Sequence, residues 1–68
     1  MKLEVGKTYR TRDGRKAILF LVTGVTEEEE IHYARFEGYT VGAAYFKNGR
    51  CFGEEEETAD DLVAEWED

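Results

Sequence analysis

Apolar and polar positions alternate with period two along much of this chain, and two tight-turn signals interrupt the alternation. Asp13-Gly14 separates Tyr9-Arg10-Thr11-Arg12 from Arg15-Lys16-Ala17-Ile18, and Asn48-Gly49 separates Tyr45-Phe46-Lys47 from Arg50-Cys51-Phe52. Asp-Gly and Asn-Gly suit the two-residue type I′ turn, which needs positive φ at both central residues. Two-residue loops set the register. Arg12 then faces Arg15, Arg10 faces Ala17, and Tyr9 faces Ile18, while Tyr45 faces Phe52 and Phe46 faces Cys51. Side chains alternate across a strand, so Tyr9, Ile18 and Phe20 fall on one face. Arg10, Arg12 and Arg15 fall on the other, continued by Ala17, Leu19 and Leu21. Ile18–Val22 is apolar on both sides, which predicts a central strand covered above and below.

Glu30–Glu37 reads as a further extended segment, with Ile31, Tyr33 and Arg35 alternating against His32, Ala34 and Phe36. Val25-Thr26 and the run Glu27–Glu30 read as a solvated connection. Gly38 and Gly42 mark a loop or bulged strand around Tyr39 and Val41. The tail gives the one helix signal. Thr58 as N-cap with Asp61 three residues on is a variant of the capping box. Leu62 and Trp66, four apart, would share a helical face that docks on the sheet. Truncating Trp66 would then cost about 3–5 kcal/mol if its ring were fully buried. The expected architecture is mostly β: a single domain over residues 1–68, with a small antiparallel sheet or partly closed barrel of four to five strands and a short C-terminal helix.

Composition narrows the means of holding this fold together. Near 70 residues a chain buries only about 60% of its unfolded surface, so the core is thin. Cys51 is the only cysteine and His32 the only histidine. An internal disulfide is impossible, and one Cys with one His is too small a set for a tetrahedral zinc site. Stability has to come from packing nine aromatic residues or from self-association, so a homodimer stays open. No apolar run is long enough to cross a membrane as a helix, and the N-terminus has no apolar leader. Together with the free thiol, this leads us to expect a cytoplasmic protein.

Charge is split along the chain. The first 25 residues hold six bases and two acids, whereas the remaining 43 hold three bases and fourteen acids, for a net charge of −7. The last fifteen residues carry nine acids and no base. Such a field repels polyanions, so direct binding of nucleic acid or anionic lipid is not expected. Arg10, Arg12 and Arg15 cluster at the first turn. They could contact phosphate, or pair with the acidic tail of this copy or another.

The segment Leu3-Glu4-Val5-Gly6-Lys7-Thr8-Tyr9-Arg10-Thr11-Arg12-Asp13-Gly14-Arg15, the ending Asp60-Asp61-Leu62-Val63-Ala64-Glu65-Trp66 and the aromatic hairpin Tyr45–Phe52 resemble features of small phage and prophage proteins. The likeness covers about half of the chain and leaves Thr23–Ala44 aside. It implies phage origin and raises the class of short phage inhibitors of bacterial defence, anti-CRISPR proteins among them. It supplies no catalytic residues.

No catalytic signature competes with a binding role. A Cys51–His32 pair could be assembled in space, but each residue reads more simply as a strand residue packed in place. Asp60, Asp61 and Glu65 offer oxygen ligands without the EF-hand pattern, so no metal or other cofactor is expected. The reading is a non-enzymatic protein that presents Glu54, Glu55, Glu56, Glu57, Asp60, Asp61, Glu65 and Glu67 to a basic nucleic-acid-binding cleft on a host protein. If Glu54–Glu57 were a strand, same-face acids would lie about 6.6 Å apart, the order of spacing needed for DNA mimicry. The alternative is a ligand-sequestering or self-assembling β module built on Tyr33, Phe36, Tyr39, Tyr45 and Phe46, its acidic tail serving solubility alone.

Overall fold

The computed structural model describes residues 1–24 and 26–67. Val25, in the connection read as solvated, and Asp68, the last acid of the tail, lie outside the described residues. Five strands form one sheet: β1 (Thr8–Thr11), β2 (Lys16–Thr23), β3 (Ile31–Phe36), β4 (Gly42–Tyr45) and β5 (Leu62–Glu65). Their order is β4-β3-β2-β1-β5, and every neighbouring pair is antiparallel. The sheet curls into a half-barrel. β2 is the middle strand, the central position expected of it.

Both tight turns occur where Gly14 and Gly49 stand, but neither is type I′. Gly14 and Gly49 have φ of 92° and 91°, and no other residue type has positive φ among the described residues. Asp13 and Asn48 therefore cannot fill the first position of a type I′ turn. The loops hold three residues instead, Arg12-Asp13-Gly14 and Lys47-Asn48-Gly49. Thr11 N–H donates to Arg15 O (2.9 Å) and Gly14 N–H to Thr11 O (3.0 Å). Phe46 N–H likewise donates to Arg50 O (2.8 Å) and Gly49 N–H to Phe46 O (2.9 Å). This is the three-residue hairpin loop, in which glycine alone takes the left-handed position.

One extra loop residue shifts each register by one. Tyr9 faces Ala17 and Thr8 faces Ile18, where two-residue loops would pair Tyr9 with Ile18. Tyr45 faces Cys51 rather than Phe52. A slip of one exchanges the two faces of a strand. Tyr9, Thr11, Ala17 and Leu19 accordingly point into the core, while Phe20 and Leu21 are exposed. The β2–β3 register also shifts between Leu19 and Leu21, which leaves Phe20 as a bulged residue. The expected cover on both sides of β2 is thus corrected: one side is core and the other is open. In β3 the alternation is as read, with His32, Ala34 and Phe36 buried and Arg35 exposed.

The C-terminal helix is also corrected: the tail forms β5. Thr58 and Asp61 make only one half of a capping box, the bond from Thr58 N–H to the Asp61 carboxylate. The Asp61 N–H goes to the Thr58 carbonyl (3.3 Å) and not to its hydroxyl. Asp61 accepts from Thr58 N–H (3.0 Å) and the Thr58 hydroxyl (2.8 Å), but the turn ends there. Leu62–Glu65 then pairs with the free edge of β1, Arg10 facing Ala64 and Thr11 facing Leu62. Sheet pairing satisfies the backbone groups that an isolated two-turn helix would leave marginal. Leu62 is buried, whereas Trp66 is only half-buried, with Lys16 Nζ 5.4 Å from its ring centroid. The tail is therefore not held by a buried Leu–Trp staple, and the cost reckoned for a fully buried ring does not apply to Trp66.

The core joins Leu3, Tyr9, Ala17, Leu19, Ala34, Phe36, Tyr45, Cys51 and Leu62. The Tyr9 hydroxyl accepts from Glu4 N–H (2.7 Å) and donates to Lys2 O (3.1 Å), strapping the N-terminal segment over this core. The open side of the curl is drawn together where Leu62 N–H donates to Gly49 O (2.8 Å) and the Tyr45 hydroxyl donates to Asp60 O (2.7 Å). No helix among the described residues is long and apolar enough to cross a membrane.

Candidate functional site

The acids named from the sequence divide into three groups. Asp61 is 1% exposed, so it cannot face a partner. Its Oδ1 accepts from Cys51 N–H (3.0 Å) and the Thr58 hydroxyl, and its Oδ2 from Thr58 N–H and Arg12 Nη2 (3.3 Å). Arg50 Nε lies 3.3 Å from Oδ2, an ionic contact poorly aligned for a hydrogen bond. Burial pushes the Asp61 carboxyl up. The N–H groups of Thr58 and Cys51, the Thr58 hydroxyl and Arg12 outweigh burial and hold it well below the usual carboxylate range.

Asp60, Glu57 and Glu65 form the second group, already matched by this chain's own bases. Asp60 pairs with Arg15, Glu57 with Arg12 (3.7 Å), and Glu65 with Lys7 (3.5 Å). The arginine cluster at the first turn thus finds the tail of the same chain. Arg12 also donates from Nε to Thr58 O (3.2 Å), and Arg15 stacks over Phe36 at 4.4 Å. Arg10 makes no ion pair among the described residues.

Glu54, Glu55, Glu56 and Glu67 form the third group: exposed, with no ion pair among the described residues. Glu54–Glu57 is not a strand, so the regular spacing expected of one does not apply. The loop is nevertheless tied down. Glu54 N–H donates to Cys51 O (3.2 Å), Arg50 Nη2 donates to Glu55 O (3.3 Å), and Thr58 is locked by Asp61 and Arg12. Beside it stand Phe46 and Phe52, both exposed, with ring centroids 5.0 Å apart. The site is a short tethered row of free carboxylates next to an aromatic pair. Arg50 and the aromatic pair were missed as parts of it. The Asn48-Gly49 turn that places all three was the available signal.

His32 and Cys51 both lie against Tyr45 in the strand pairing, and no hydrogen bond joins them. Burial pushes the Cys51 thiol up, away from the reactive thiolate. His32 Nε2 is 3.6 Å from Glu30. Among the described residues, no three of His, Cys, Asp and Glu converge as metal ligands. Compared with protein-family models, curated proteins and solved structures, the chain matches none.

Proposed function

We propose that this chain is a non-enzymatic binding protein of phage or prophage origin that inhibits a host protein handling nucleic acid. Its acidic loop occupies that protein's basic cleft, in the manner of an anti-CRISPR acting by DNA mimicry in the bacterial cytoplasm. The observation that carries this reading is Glu54-Glu55-Glu56. These three successive carboxylates have no ion pair among the described residues, on a loop pinned by Cys51 O at its start, by Arg50 at the Glu55 carbonyl and by Arg12 and Asp61 at Thr58. Most bases near the tail are consumed by Asp60, Asp61, Glu57 and Glu65, and this leaves the outward field of the loop negative. A negative patch held in one shape speeds encounter with a basic cleft and lowers the ordering cost of docking. Phe46 and Phe52 add apolar contact beside the charge, the combination that protein interfaces favour over charge alone.

The test compares the wild type with a triple Glu54→Gln, Glu55→Gln, Glu56→Gln variant. Both are immobilised and challenged with lysate of a bacterial host. The wild type is expected to retain a nucleic-acid-binding protein at low salt and to release it on adding salt or duplex DNA. The variant should lose that capture while melting at the same temperature. Capture that survives the triple substitution, or is indifferent to duplex DNA, would end the reading.

A further inference from the structure

The open outer face of β3 and β4 carries a second, chemically different surface. A groove of about 750 Å³ runs there, lined chiefly by Phe20, Tyr33, Arg35, Tyr39, Val41 and Ala44. Phe20, Tyr39 and Val41 are 52%, 56% and 61% exposed along it. Its construction is specific. The bulge in β2 leaves Leu21 exposed beside the outward-facing Phe20, and the pairing sets Leu21, Tyr33 and Ala44 side by side across three strands. Gly42 stands opposite Arg35, and a side chain there would strike the Ala34 carbonyl, so the strand beside Arg35 stays bare. Tyr39 is fixed by an edge-on contact with Phe36, centroids 6.5 Å apart.

Arg35 is the one charged residue in this lining, and it forms no ion pair among the described residues. Lys7, Arg12, Arg15, Lys16 and Arg50 all pair with acids of the chain. A lone guanidinium bordered by exposed aromatic and aliphatic groups complements a ligand with an apolar body and one anionic end. We infer that this groove binds a hydrophobic monoanion, an apolar ring system carrying a single carboxylate. One cation matches one charge, and the net charge of −7 repels a multiply charged anion more strongly than a singly charged one. The lining offers little beyond the Thr40 hydroxyl and two tyrosine hydroxyls to satisfy a polar base and sugar, which disfavours a nucleotide. This site is independent of Glu54–Glu56, so failure of either leaves the other standing.

The test uses 2-naphthoate, with 2-naphthalenemethanol and 2-naphthylmethylammonium as its neutral and cationic counterparts, titrated into isotope-labelled protein and followed by amide NMR shifts. Naphthoate is expected to bind one per chain and to shift Tyr33, Arg35, Gly42 and Ala44. The neutral compound should bind roughly tenfold more weakly, the scale of one charge-assisted pair, and the cation more weakly still. Arg35→Gln should abolish the preference for the anion, while Arg10→Gln, which removes another unpaired cation, should leave it intact. Val41→Glu should remove binding altogether. The inference is overturned if no probe binds the groove, if the neutral compound binds as well as naphthoate, or if Arg35→Gln changes nothing. It is equally overturned if adenosine monophosphate binds more tightly, or if sedimentation shows the face covered in a dimer.

Discussion

Asp61→Ala is expected to destabilise the fold by about 3 kcal/mol, the lower end for breaking a buried charged pair. The lower end applies because Arg12 and Arg50 both keep some access to water and can be rehydrated. Cys51 N–H and Thr58 N–H, by contrast, lose their acceptor in a closed site, and each orphaned donor is costly. A domain of this size holds only several kcal/mol in total. The expected fall in melting temperature is therefore about 12 °C or more. The pH dependence has a definite sign. An unfolded aspartate titrates near 3.9, and Asp61 in the fold lies well below that. Its contribution is complete above the unfolded value and is lost as pH falls from there toward the folded one. Urea midpoints at pH 7, 4 and 3 should show a steep acid loss for the wild type and a shallower one for Asp61→Ala. Exposed Glu4 and Asp13, also held below their usual values by Lys7 and Arg15, would keep the variant's limb from becoming flat. Equal acid limbs would mean that Asp61 is not the ionised centre of the tail.

The second large effect belongs to Gly49, and Gly14 isolates its cause. The two have nearly the same φ, 91° and 92°, so replacement by alanine strains both backbones alike. Around Gly14 an added Cβ would meet nothing within 4 Å. At Gly49 it would lie 2.5 Å from Leu62 O, in the seam where Leu62 N–H donates to Gly49 O. Gly14→Ala should cost about 1 kcal/mol, the backbone strain alone. Gly49→Ala should cost about 2–4 kcal/mol, because the second hairpin and β5 must also move apart. Chemical denaturation of the pair measures the difference directly. Equal costs would show that the seam contributes nothing beyond conformation.

These two sites also mark how far the fold was legible in the sequence. The strands β1 to β3 and both turns follow from alternation and from Asp-Gly and Asn-Gly, whereas Gly42–Tyr45 reads only as the end of a loop or bulged strand around Tyr39 and Val41. The expected arm Arg50-Cys51-Phe52 keeps a single bridge, Cys51 to Tyr45. The register at the turns does not follow, because the same dipeptides fit either a two-residue loop or the last two places of a three-residue one. Local side chains fit the longer loop: the Thr11 hydroxyl accepts from Arg15 N–H (2.8 Å), and Asn48 Oδ1 accepts from Arg50 N–H (2.9 Å). That single extra residue turned Tyr9 inward and Phe20 outward. The tail misled for a different reason. Thr58 and Asp61 make one half of the box their spacing suggests, but four apolar-patterned residues fit helix or strand equally, and the free edge of β1 decides. In the candidate site, the exposed acids were legible as charge. Which of Glu57, Asp60 and Glu65 the chain neutralises depends on Arg12, Arg15 and Lys7, each more than 40 positions away, and no local pattern reports that.

Cys51 stands where the second hairpin meets the Thr58–Leu62 segment, buried, its sulfur 3.2 Å from the Thr58 hydroxyl. An alkylating reagent can reach that sulfur only when the two segments part, so the chain carries a chemical clock for its own breathing. The rate of labelling in native buffer reads how often the seam opens, without any probe having to be introduced. Gly49→Ala should make the clock run faster and Gly14→Ala should barely alter it.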